Sequence, residues 1–72
     1  MNEKFFFESI VRLNDGTVTP QLLGYDTSKD AEIKFHDEVS YALKLDNLKS
    51  AHFEVHNEKG DIVDNLSKTL EV

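Results

Sequence analysis

From Ser28 to Leu45 apolar residues recur every three or four positions, the spacing of one face of an α-helix. At about 100° per residue, Ala31, Phe35, Val39, Ala42, Leu43 and Leu45 share one arc, and Lys34, Asp37, Ser40 and Lys44 lie opposite. The segment is therefore predicted to be an amphipathic helix lying on an apolar layer. Thr27 or Ser28 supplies the N-cap hydroxyl, and Asp30 and Glu32 sit in the first turn, where the positive end of the helix dipole favours acids. Asp30 and Lys34 form an i,i+4 pair in the favourable order. With no glycine as a C-cap, the pattern lets the helix end anywhere from Lys44 to Lys49.

The flanking segments alternate instead of turning. Lys4 to Leu13 is rich in aromatic and β-branched residues and ends at Asn14-Asp15-Gly16-Thr17. Asp-Gly between two such runs is a hairpin signal, because a two-residue type I′ turn needs positive φ at both central positions. Counting back from that turn pairs Leu13 with Val18, Val11 with Pro20, Ser9 with Leu22 and Phe7 with Gly24, and on the other face Ile10 with Gln21, Glu8 with Leu23 and Phe6 with Tyr25. In this register Phe5, Phe7, Val11, Leu13, Val18 and Leu22 receive the helix, and Phe6, Ile10, Leu23 and Tyr25 form an exposed apolar patch edged by Glu8, Arg12 and Gln21. Pro20 cannot donate to a ladder, so the second strand is expected at a sheet edge or bulged.

Beyond the helix, Leu48 to Ser50 bridges to Ala51-His52-Phe53-Glu54-Val55-His56, which puts Ala51, Phe53 and Val55 inward and His52, Glu54 and His56 outward. Asn57-Glu58-Lys59-Gly60 makes a turn with Gly60 suited to the left-handed conformation, and Ile62-Val63 begin a returning strand. Residues 66–72, with Leu66, Leu70 and Val72, fit either an extension of that strand or a loose tail. The order is β-β-α-β-β: a two-layer α+β domain over residues 1–72, one helix packed on a four-stranded, mainly antiparallel sheet. Its expected core unites Phe7, Val11, Phe35, Val39, Phe53 and Val55.

Composition narrows what such a domain can do. At 72 residues only about 60% of the unfolded surface can be buried, so self-association is a natural source of added stability. Cysteine is absent, which removes disulfides, thiolate zinc sites and a thiol nucleophile. The net charge of −6 comes from acids spread along the chain, and such a surface repels nucleic-acid phosphate and anionic lipid. No apolar run reaches the ~20 residues of a membrane span, and Phe5-Phe6-Phe7 is too short for a signal-peptide core, so a soluble cytoplasmic protein is expected.

Candidate chemistry is sparse. His52-x-Glu54-x-His56 places two imidazoles and a carboxylate on one strand face, a known ligand set, but without a visible supporting partner it reads as a solvated polar face, and neither metal nor other cofactor is expected. His36, at the border of the helical arc, is expected beside Glu32 and not as a general base. No serine lies in a nucleophile-elbow context, Gly16, Gly24 and Gly60 are too scattered to cradle phosphate, and the carboxylates at Asp37, Glu38, Glu58 and Asp61 lie in polar segments that do not raise a pKa. The triple phenylalanine lacks the Lys and Arg neighbours of base-stacking sheets. The chain is thus expected not to be an enzyme.

The F-F-x-E run, the D-G-T turn, the helical A-E-I-K-F-H-D-E-V-S-Y-A-L and the closing F-E-V-H-N-E-K-G resemble a group of short proteins carried by phages, prophages and mobile elements of Gram-positive bacteria, a group with no assigned activity. The residues that carry the resemblance are Phe5, Phe6, Glu8, Asp15, Gly16, Ala31, Phe35, His36, Tyr41, Ala42, Asn57 and Gly60. It implies an accessory role in a mobile element and no catalytic residue. Two functions are then expected to compete. One is a small protein-binding module whose partner is another protein or itself, as a homodimer, through Phe6, Ile10, Leu23 and Tyr25. The other is an acidic decoy that occupies the nucleic-acid site of a basic host protein.

Overall fold

The computed structural model describes residues 4–72. Two hairpins flank one helix: β1 (Phe5–Leu13), β2 (Val18–Tyr25), α1 (Ser28–Leu43), β3 (Leu48–Asn57) and β4 (Ile62–Glu71). The strands form one antiparallel sheet in the order β2-β1-β3-β4, so the first strands of the two hairpins pair at its centre. The helix covers one side only. This is the two-layer α+β architecture read from the sequence, and Pro20 does lie on an edge strand.

The first hairpin differs from expectation by one residue. Its loop is Asn14-Asp15-Gly16, closed by Leu13 N–H to Thr17 C=O at 2.9 Å and by Gly16 N–H to Leu13 C=O at 3.0 Å. Such a three-residue loop needs positive φ only at its last position, where Gly16 has +92°. The two-residue turn would have forced Asp15 there as well. The Asp15 carboxylate instead accepts from Thr17 N–H at 2.8 Å, and its bonds to Thr17 hold its pKa below the ordinary range. The observed partners are Arg12 with Val18, Ile10 with Pro20, Glu8 with Leu22, Phe7 with Leu23, Phe6 with Gly24 and Phe5 with Tyr25. The facing of β1 survives and every facing on β2 reverses. Leu23 and Tyr25 turn toward the helix and pack on the core, while Val18 and Leu22 are exposed on the other side. Leu23 and Tyr25 bury more apolar surface than Leu22 and Gly24 would, but Thr19 and Gln21 replace Val18 and Pro20 on the inner side, so the backbone of the turn and not burial alone selects the register.

The second hairpin repeats the device. Asn57 and Asp61 close Glu58-Lys59-Gly60 with Gly60 at φ +88°, and the Asn57 side-chain oxygen accepts from Lys59 and Asp61 N–H. The bridge segment Leu48 to Ser50 belongs to β3, and residues through Glu71 extend β4 as strand. Between the pairs His56 with Ile62 and Glu54 with Ser67 the register shifts, where Asp64 and Asn65 take φ of 49° and 59°. This bulge turns both Val63 and Leu66 toward the core.

Thr27 is the N-cap, its hydroxyl accepting from Asp30 N–H at 3.1 Å, and the helix stops at Leu43 with Lys44 as C-cap. Two helical expectations fail. Leu43 is 65% exposed, since it lies about 80° around the axis from Phe35 at the edge of the arc. Lys34 pairs with Glu38 at 3.0 Å and not with Asp30, and that bond raises the Lys34 pKa. The core unites Phe7, Phe53, Val55, Ala51, Leu48 and Leu66 from the sheet with Ala31, Phe35 and Ala42 from the helix. Val11 and Val39 border it, half-buried. Phe7 and Phe53, essentially unexposed, stack at 6.4 Å and contribute about 2–3 kcal/mol each through burial.

Candidate functional site

With α1 on one side, the opposite side of the sheet presents four rows of side chains set by the registers. They run Gly24, Phe6, His56, Ile62; then Leu22, Glu8, Glu54, Ser67; then Pro20, Ile10, His52, Thr69; then Val18, Arg12, Ser50, Glu71. The β2 and β1 half is mostly apolar. The β3 and β4 half is polar. Phe6 holds the first row together: its ring lies over bare Gly24, where an added Cβ would touch it at 3.5 Å, and stacks on the His56 imidazole at 5.6 Å. Leu22 is 62% exposed and Val18 49%, large values for side chains of that size. Beside them lies a concavity of about 350 Å³ lined by Ile10, Pro20, Leu22, Glu8 and His52.

Of the four residues expected to form a contact patch, the sheet brings Phe6 and Ile10 together on this open face. It sends Leu23 and Tyr25 to the helix side. Their places are taken by Leu22, Pro20 and Val18, which the same alternation would have identified once the loop was counted as three residues.

The polar half carries the chemistry. His56 Nε2 lies 3.2 Å from Glu8 Oε2, and His56 Nδ1 bonds the Asn57 carbonyl at 3.1 Å. His52 Nδ1 lies 2.7 Å from the Thr69 hydroxyl, with its Nε2 at 3.5 Å from Glu54. Glu8, Glu54 and His56 offer ligand atoms that all lie within 4.8 Å of one another. Glu8 reaches this group from β1, so the β3 pattern alone shows only part of it. His36 stands apart on the exposed helix surface, its ring edge-on to Phe35 at 5.3 Å.

A second groove of about 290 Å³ runs between α1 and the first hairpin, lined by Val11, Leu13, Tyr41, Ala42 and Leu45 with buried Ser9 beneath. It exists because Ser9, Thr19 and Gln21 leave the sheet side thin where the helix passes. Among the described residues no helix is long and apolar enough to cross a membrane. Comparisons with protein-family models, with curated proteins and with solved structures find no match to this chain.

Proposed function

We propose that this protein is a small non-catalytic binding module that associates with a second copy of itself through the open face of its sheet. The observation that carries the reading is the apolar half of that face, where Val18, Pro20, Leu22, Ile10 and Phe6 adjoin one another and no element among the described residues covers them. Four strands of eight to ten residues make a face of roughly 30 by 19 Å, on the order of 600 Å² before side-chain relief is counted, near the ~800 Å² per partner of a standard interface. A two-fold pairing of such faces turns two thin layers into a four-layer molecule with a shared centre. The resemblance to mobile-element proteins adds an accessory role to this reading.

An acidic decoy needs carboxylates spaced like phosphates along one surface. On α1 Lys34 is tied to Glu38, and Lys29 and Lys44 share the outer side with Asp37, which supports association over mimicry. Sedimentation equilibrium decides it. The wild type is expected to form a dimer, and Leu22→Gln and Val18→Thr, at exposed positions that leave the core untouched, are expected to weaken it. A wild type that stays monomeric at hundreds of micromolar overturns the reading.

A further inference from the structure

At the centre of the open face Glu8 and Glu54 stand directly opposite each other across β1 and β3, with His56 diagonal to Glu8. Like charges so placed destabilise a sheet unless something neutralises them. Among the described residues no Lys or Arg lies within 4.0 Å of either carboxylate; their partners are the imidazoles of His56 and His52. We infer that Glu8, Glu54 and His56 form a binding site for a divalent transition-metal cation of the zinc type.

The orientation of His56 supports the assignment. Its Nδ1 faces the Asn57 carbonyl, and a carbonyl only accepts, so Nδ1 carries a hydrogen. That leaves Nε2 as the ring atom that meets the Glu8 carboxylate, at 3.2 Å. Either a second ring proton or a metal ion in its place satisfies that contact, and a ring N–H held by a backbone carbonyl is how ligating histidines are commonly oriented. Stacking on Phe6 fixes the ring plane. His52 acts as a positioning residue, its Nδ1 held at Thr69 and its Nε2 turned to Glu54.

The spacing fits as well. Ligands of a tetrahedral ion with bonds of about 2.0–2.1 Å lie roughly 3.3 Å apart. Glu8 and His56 are already at 3.2 Å, and Glu54, within 4.8 Å, closes by side-chain rotation. One imidazole nitrogen with two carboxylates suits zinc and its neighbours, whereas calcium and magnesium favour oxygen alone. Three protein ligands leave a coordination position for water or a donor from elsewhere.

The test is a zinc titration of the full, tag-free chain, followed through amide and imidazole resonances. Saturable one-site binding at micromolar zinc is expected, moving the rings of His56 and His52 and leaving His36 unmoved. Glu8→Gln and Glu54→Gln should each weaken binding about tenfold or more, and His36→Gln should leave it unchanged. Both glutamine variants remove a repulsion, so they should melt no lower than the wild type; equal melting with lost binding then reports the site and not the fold. Lack of saturation at millimolar zinc, wild-type affinity in Glu8→Gln, or shifts that follow His36 would each overturn the assignment.

Discussion

Gly16 and Gly60 occupy the same place in two loops, the last of three residues and the one with positive φ. In each case an added Cβ would meet nothing within 4 Å, so the backbone conformation itself is what an alanine must bear. Gly16→Ala and Gly60→Ala are each expected to cost about 1–2 kcal/mol, read from urea midpoints. Gly24→Ala provides the contrast, since its φ is not left-handed and its Cβ would make an ordinary contact with the Phe6 ring; no loss is expected there. A tolerated Gly16→Ala would mean that the loop is not the three-residue form. Asp15-Gly16 was readable in the sequence as a turn, but its length was not. The dipeptide serves both loop types, and what separates them is whether Asp15 or only Gly16 must take positive φ, a backbone cost and not a pattern.

At the scale of elements, that single residue decides which side of β2 belongs to the core. Tyr25→Ala should lower stability by about 1–3 kcal/mol, because Tyr25 packs at the edge of the core opposite Phe5. Leu22→Gln should change stability by less than about 0.5 kcal/mol, because Leu22 is 62% exposed. The two-residue turn predicts the reverse order, so chemical denaturation of these two variants tests the register directly. The helix and the inward set of β3 were readable because their periods are unbroken: Ala31, Phe35 and Ala42 on one, Ala51, Phe53 and Val55 on the other, all buried. The course of β4 was not. Val63, Leu66 and Leu70 are spaced by three and four, as on a helix, and the odd step from Val63 to Leu66 fits a strand only because Asp64 and Asn65, residue types that tolerate the left-handed region, absorb it in a bulge. The carboxylate and histidine group was half readable for a related reason, since Glu8 joins it only through a long-range register.

The described residues form a long thin body of 43 × 18 × 16 Å and leave one side of the sheet uncovered. Joining two such sides opposes apolar burial to charge. Each copy carries −6, and Glu8 and Glu54 lie in the middle of the face, so two copies repel both at long range and at the contact. Salt weakens that repulsion, as the screening length falls from about 10 Å at 0.1 M to about 3 Å at 1 M, and it leaves the apolar contribution in place. Self-association through this face should therefore tighten several-fold between those salt concentrations. Capture of a basic protein by an acidic decoy has the opposite sign, because there salt screens an attraction. Sedimentation of the wild type at the two salt concentrations measures the first, and a dimer that dissociates as salt rises would show that charge, and not the apolar rows of Leu22 and Ile10, holds the copies together.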